Sequence, residues 1–318
     1  MDFRKFLGVA ILAQVMVSSA LSAAESFLVV EAHSGRVLGR QNEAKRRPVA
    51  SLTKVASAMV VLDWSKLTNS DLSQYATVPV SASVLGGANP LGLQPGDQIS
   101  LRNAIYSSLL GSDNIAAHTL ANHVGSSIQR IRGQQGDPVG IFVGEMNRLA
   151  KGLGMRRTRF ANPHGMDHAR QRGVSTAEDI ARLCIYATRN PGFRFYVKQK
   201  SRNIEVLRGG QKYSFQVSNT NQLLGQQGID GIKTGQTALA GQCLAASSER
   251  DNIVRRLPDG RSQITQRRLI TVVLGSEDRF GRTRTLVQQG WGNYDRWIAA
   301  GSPIQNEKKD LILVAEPR

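Results

Sequence analysis

Ser51 and Lys54 place a hydroxyl and an amine three residues apart, a spacing that can support nucleophilic catalysis. A serine hydroxyl is a weak nucleophile until a base takes its proton, and an unprotonated amine within hydrogen-bond reach is such a base. Lysine ordinarily keeps its proton at neutral pH, but burial and a neighbouring cation both disfavour the ammonium. The stretch from Pro48 to Trp64 would supply that burial: after Ala50, residues Val55, Ala58, Met59, Val60 and Leu62 form an apolar run that predicts a buried helix with Ser51 at its first turn. Residues three apart share a helix face, so Lys54 stacks one turn above Ser51. Alone, the same pattern also describes an N-capping serine followed by a lysine that snorkels to solvent.

Two further tripeptides carry polar chemistry. Ser112-Asp113-Asn114 falls between two apolar helical runs, where side chains can project from a loop; by itself such a triplet also serves as a helix cap. Lys233-Thr234-Gly235, followed by Gln236, ends the strand-like segment Ile229-Asp230-Gly231-Ile232. There Lys233 supplies fixed positive charge, Thr234 a hydroxyl for an anion, and Gly235 leaves room for a ligand against the strand edge. Other chemistries lack their residues. The sequence has no Gly-x-Ser-x-Gly elbow and no His-Glu-x-x-His, and His33, His118, His123, His164 and His168 show no ligand spacing, so neither metal nor cofactor is expected. His164 and Asp167, in NPHGMD, read as part of a turn flanking a cleft.

The elements that must position these residues follow from periodicity. Ser26–Glu31 and Arg36–Gln41 predict a hairpin around His33-Ser34-Gly35. A Gly- and Pro-rich section from Thr77 to Ser100 reads as short strands and turns, and helical spacing covers Leu101–Leu110, Asn114–Val124, Pro138–Gly152 and Glu178–Thr188. From Arg202 the period changes: Tyr213–Val217 alternates, Gly241–Ser247 and Leu269–Leu274 read as buried strands, and Arg282–Ala300 has helical length despite Gly290 and Gly292. Strands at both ends with helices between them predict an α+β architecture, an antiparallel sheet built from both chain ends with an inserted helical lobe, and a site in the cleft between lobes. Residues 301–318 read as a loose tail.

Composition sets the setting. The chain has 318 residues, 41 Lys plus Arg against 24 Asp plus Glu, and a formal charge of +17. Arg4 and Lys5, the apolar run Phe6–Val17 and the small residues Ser22-Ala23-Ala24 predict a secretory signal peptide over residues 1–24, and hence export across the cytoplasmic membrane to the periplasm or cell envelope. The basic excess then has two readings, contact with anionic envelope polymers or solubility alone; no nucleic-acid motif is present. Cys184 and Cys243 stand outside any Cys-rich setting and read as two buried free thiols.

Ser51-x-x-Lys54, Ser112-Asp113-Asn114 and Lys233-Thr234-Gly235 occur in the order that marks class A β-lactamases and penicillin-binding proteins. Over about residues 25–300 the chain resembles the low-molecular-mass penicillin-binding proteins, the D-alanyl-D-alanine carboxypeptidases and endopeptidases of peptidoglycan. LQPGDQIS (93–100), NRLAKGLGMRRTRFANPHGMD (147–167), STAEDIARL (175–183) and GIDGIKTGQTALAGQCLAAS (228–247) fit the same family. The resemblance implies a β-lactamase/transpeptidase-like fold, an α/β sandwich, and a single penicillin-binding peptidase domain over residues 25–300. It implies Ser51 as acyl-ester nucleophile, Lys54 as its base, Ser112 and Asn114 in proton relay and substrate binding, and Lys233 with Thr234 at the substrate carboxylate. The oxyanion would be held by the backbone amides of Ser51 and Gln236. Peptidoglycan stem peptides are the implied substrate and β-lactam antibiotics the implied covalent inhibitors. A carboxypeptidase is the first expectation and an endopeptidase the second.

Departures from the family are local. Position 236 is Gln where some relatives carry His, and the middle of the Ser-x-Asn triplet is Asp where several carry Gly. Many carboxypeptidases of the family continue into a β-rich domain and an amphipathic anchor, whereas here the sequence stops soon after Trp297, a shape similar to the short soluble endopeptidase branch. The Glu-x-x-Leu-Asn pentapeptide of class A β-lactamases is absent, which argues against fast hydrolysis of a β-lactam. A penicillin-recognising sensor without turnover would keep the same motifs. Finally, residues 249–268 contain Pro258-Asp259-Gly260 and carry Arg250, Arg255, Arg256, Arg261, Arg267 and Arg268 against Glu249, Asp251 and Asp259, which predicts an exposed basic hairpin extension, either a dock for anionic wall or membrane polymer or a solvated loop.

Overall fold

In the computed structural model residues 25–167 and 172–315 are described; the expected signal segment and His168 lie outside them. Ser26–Glu31 (β1) and Val37–Gln41 (β2) form the first hairpin, and a 3-10 turn, Ala50–Leu52, leads into Thr53–Thr68 (α1). Tyr75–Thr77 (β3) and Gln98–Ser100 (β4) precede Leu101–Leu110 (α2), Asn114–Arg132 (α3), Pro138–Gly152 (α4), Ala177–Arg189 (α5) and Pro191–Val197 (α6). Ser201–Arg208 (β5), Gln211–Ser218 (β6), Ile229–Thr237 (β7), Gly241–Arg256 (β8) and Ser262–Ser276 (β9) follow, then Arg279–Ala299 (α7) and Glu307–Asp310 (α8).

The main sheet runs β2-β1-β9-β8-β7, antiparallel throughout, so the two chain ends meet at its centre, with Ser26 opposite Leu274 and Glu31 opposite Leu269. Alternation along the strands divides the core between its two faces. Leu28, Val30, Ala245, Ile270 and Val272 face the helical lobe, while Phe27, Val29, Leu244, Leu269 and Val273 pack on Leu286, Val287, Trp291 and Tyr294 of α7. The result is the expected α+β sandwich with a helical lobe between the strands.

Helix α1 runs through the core of that lobe: every residue from Thr53 to Val61 is buried. That all-round burial is why its apolar pattern is a run and not a stripe. The surrounding helices start where their caps dictate. Asp113, Asp137, Thr176 and Asn190 accept backbone amides at the N-termini of α3, α4, α5 and α6. Helix α7 continues through Gly290 for a packing reason: a Cβ there would lie 2.7 Å from Val29 Cγ1, so glycine lets the helix close on β1.

Three expectations change. A second sheet, β3-β4-β5-β6, was not foreseen as a unit, because β3 and β4 are three residues each and β4 finds its other partner, β5, about a hundred residues downstream. The end of the chain is not loose: α8 is capped by Asn306, Asp310 pairs with Arg36 at 2.9 Å, and Ile312 is buried against the turn at Gly35. The 249–268 hairpin does form, but the exposure expected of the segment does not extend to Arg268. It is buried at the hairpin root, donating to both Asp230 carboxylate oxygens and to Glu249 Oε2. Cys184 and Cys243 are both buried and free.

Candidate active site

Ser51 does not start the helix as a cap. It sits in the 3-10 turn before α1, after Ala50, whose φ is +48°, and the turn is held by the Leu52 amide donating to Val49 O. Alanine in the left-handed region is strained unless its surroundings hold it. The NPHGM turn does so: Asn162 Oδ1 accepts the amides of His164 and Gly165, and a Cβ on Gly165, at φ +83°, would come within 1.9 Å of Ala50 O. The turn expected beside the cleft is therefore a clamp on the serine loop.

One helical turn on, Lys54 is fully buried, and its Nζ lies 2.9 Å from Ser51 Oγ, 2.7 Å from Asn114 Oδ1 and 2.8 Å from His164 O. Burial, reinforced by the charge of Lys233 and opposed by that of Asp113, holds its pKa well below the usual lysine value. Nζ donates to Asn114 Oδ1 and His164 O; as a neutral amine, the form its lowered pKa favours, it can turn its lone pair to the Ser51 hydroxyl proton. Asn114 is itself oriented, because its Nδ2 donates to Gly86 O at 2.8 Å.

Ser112 adopts φ +61° just before α3, and Asp113 turns inward to cap that helix, accepting from the Ala116 amide and Ser107 Oγ. Burial raises the Asp113 pKa. Within the triplet, then, Asp113 is the cap, Asn114 reaches Lys54, and Ser112 is half-buried at the bend. The bend is tied to the third motif: Thr220 bonds Leu110 O, and its hydroxyl lies 2.6 Å from Thr234 Oγ1.

On β7, a Cβ on Gly235 would stand 3.1 Å from Ser51 N and Val49 O, so glycine allows this strand to run against the serine turn. Lys233 is buried and its Nζ has no hydrogen-bond partner among the described residues. Burial and the nearby Arg279 guanidinium push its pKa down to about 7. An unpartnered buried amine is costly unless an anion arrives. Gln236 is exposed, its Oε1 3.4 Å from Arg279 Nη1.

Sequence reading missed Arg279. It lies directly after the N-cap Asp278 of α7, and its Nη1 donates to Gly235 O at 3.1 Å. Its one signal is positional: Gln236 pairs with Gln242 and Gln242 with Ser276, so a cation three residues past Ser276 falls at the Lys233 end of the sheet. The carbonyls of His164 and Gly86 were also missed, since backbone acceptors have no residue signature. The His164 ring is buried, with its pKa lowered to about 3 by burial and the charge of Lys54. Among the described residues no three His, Cys, Asp or Glu side chains are grouped to hold a metal ion.

A family model described as D-alanyl-D-alanine carboxypeptidase matches residues 13–257. The chain is 28% identical over 231 residues to the D-alanyl-D-alanine carboxypeptidase DacF of Bacillus subtilis, covering 72% of this chain and 55% of that protein. It is 29% identical over 322 residues to the D-alanyl-D-alanine carboxypeptidase DacC of Escherichia coli, covering 98% and 70%. A D-alanyl-D-alanine endopeptidase of Pseudomonas aeruginosa is 32% identical over 225 residues, covering 70% and 66%. The chain thus spans little more than half to about two thirds of these curated relatives. Among solved structures, the Streptomyces K15 DD-transpeptidase superposes with a TM-score of 0.70 at 25% identity, covering 84% of this chain and 96% of that one.

Proposed function

Because the chain belongs to the D-alanyl-D-alanine carboxypeptidase family, we propose that it is a serine-type carboxypeptidase that removes the terminal D-alanine from peptidoglycan stem peptides through an acyl-enzyme. The observation that carries this reading is the Lys54 amine, buried and hydrogen-bonded among Ser51 Oγ, Asn114 Oδ1 and His164 O. In the proposed first step Ser51 Oγ attacks the carbonyl carbon between the two D-alanines while its proton passes to Lys54 Nζ. The backbone amides of Ser51 and Gln236 take the oxyanion. The C–N bond then breaks, the departing amine takes a proton through Lys54 and Ser112, and free D-alanine leaves. Water attacks the Ser51 ester and completes hydrolysis. Until the D-alanine leaves, its terminal carboxylate is met by Lys233 and Thr234, with Arg279 adding charge behind them.

Asn114 has two tasks in this scheme: it takes one of the two Lys54 N–H bonds, and it keeps the lone pair aimed at Ser51. β-Lactams acylate the same serine. The leader-like residues 1–24 and the charge of +17 support work outside the cytoplasmic membrane, in contact with anionic envelope polymers.

A second reading, an endopeptidase that cuts cross-links, would use the same acyl half with a different leaving amine; the identity of 32% to an endopeptidase favours keeping it. Digestion of purified peptidoglycan separates the two, since a carboxypeptidase releases free D-alanine and an endopeptidase removes cross-linked dimers. Neither product, with labelled penicillin still bound at Ser51, would leave a sensor. No penicillin labelling would sink the serine scheme.

A further inference from the structure

Beyond the pair Glu249 and Arg268, strands β8 and β9 leave the sheet and continue as a two-stranded ribbon to the pair Arg256 and Ser262, a reach of roughly 20 Å. It is a formed hairpin: the Leu257 amide donates to Arg261 O at 2.8 Å, and Gly260, at φ +82°, closes the turn. Its root is anchored. Arg268 is buried among Asp230 and Glu249, and Arg250 lies 4.4 Å over the Trp291 ring and pairs with Asp295. Past that root the residues are exposed, apart from the half-buried Leu257 and Arg267.

The distal part combines two features. Val254 and Ile264 are direct cross-strand partners, so their side chains share one face, and they are 61% and 60% exposed; Ile253, on the opposite face, is 39% exposed. From Ile253 to Thr265 there are also three arginines, Arg255, Arg256 and Arg261, against the single acid Asp259. A ribbon that only needed solubility would carry polar residues where Val254 and Ile264 stand. Contact with an anionic glycopolymer would use the arginines and leave the branched apolar pair in water. A bilayer surface whose headgroups are negative uses both, with apolar side chains entering the interface and guanidinium groups staying at the phosphates.

We propose that the hairpin tip, residues 253–265, is a docking surface for an anionic lipid bilayer. It rests on the extracytoplasmic location proposed above for its biological setting, though not for its measurement. Three exposed side chains and a small net charge make a weak, reversible and salt-sensitive contact. Because the ribbon projects from the sheet on an anchored root, it would hold the enzyme at the membrane without occupying the cleft.

The test is co-sedimentation of the chain beginning at residue 25 with vesicles of phosphatidylglycerol and phosphatidylcholine, beside vesicles of phosphatidylcholine alone. The expected result is binding to the anionic vesicles that is about tenfold or more weaker on neutral ones and falls with salt. Val254→Asp with Ile264→Asp should reduce that binding by about tenfold, and Arg255→Gln with Arg256→Gln, which keeps the apolar pair, should reduce it as well. Turnover of a small soluble peptide should be unchanged in both double variants, which separates a lost dock from a lost fold or a wrong catalytic assignment. Equal binding to neutral vesicles, or double variants that bind like the parent, would overturn the proposal. So would loss confined to purified peptidoglycan, which would assign the ribbon to the wall polymer.

Discussion

Replacing Lys233 by methionine should make the free enzyme more stable and much less active. The side chains are similar in length, so packing on β7 is kept while the buried amine is removed. In the unfolded chain Lys233 holds its proton up to the ordinary value of 10.5, whereas in the folded protein its pKa is about 7. The unfolded state therefore binds more protons between pH 7 and 10.5, and wild-type stability contributed by this group rises with pH across that window. Below pH 7 the full penalty applies, roughly 5 kcal/mol for a pKa brought down from 10.5 to about 7, reduced where cleft water screens the charge. Lys233→Met should thus unfold roughly 10 °C higher than the parent near pH 6, with the gap closing as pH approaches 10. Thermal unfolding of both proteins across that range is the assay, with penicillin acylation measured in parallel. A variant less stable than the parent at pH 6, or a gap independent of pH, would refute the idea that Lys233 waits as an uncompensated cation for the substrate carboxylate.

Lys54→Arg should abolish acylation, since a guanidinium stays protonated and cannot take the Ser51 proton, whereas Lys233→Arg should be milder because its task is charge; rates of labelled-penicillin attachment in the two variants check the order. Arg279→Ala should remove one of the two causes that lower Lys233. If Lys233 must be protonated to receive the carboxylate, activity falls as pH rises through its pKa, so the alkaline limb of kcat/KM should move up in this variant while KM rises; an unmoved limb would separate Arg279 from Lys233. Gly165→Ala forces a Cβ onto Ala50 O at 1.9 Å and a side chain into φ +83°. Acylation should fall by about a hundredfold or more as the serine turn shifts, measured with the same penicillin label, and full activity would show that the NPHGM clamp is dispensable.

The reactive side chains were legible because the chemistry needs particular residue types at short spacing: Ser51 and Lys54 are one helical turn apart, and Lys233-Thr234-Gly235 is contiguous on one strand. What lay beyond reach was supplied by backbone or by distance. The His164 and Gly86 carbonyls carry no residue signature, and Arg279 is set beside Gly235 by pairing across three strands. The β3–β4 pair escaped notice because three-residue strands show no period. Gly290 was read as a weakness in α7 when it marks where helix and sheet touch most closely. The exposure expected of residues 249–268 stops at Arg268, since composition cannot tell which guanidinium finds two carboxylates.

The pairing of β1 with β9 also governs the order in which the molecule can assemble. Ser26–Glu31 finds one of its two neighbours in β2, close behind it, but the other only in Leu269–Leu274. At a synthesis rate of about 5 to 20 residues per second, the ribosome needs roughly ten to fifty seconds to make the intervening chain. During that interval the sheet has no centre, and α7, which follows β9 in the chain, is not yet there to cover its outer face. Such long-range pairing makes folding slow and late. A nascent chain of this topology cannot close its main sheet until its last strand is made.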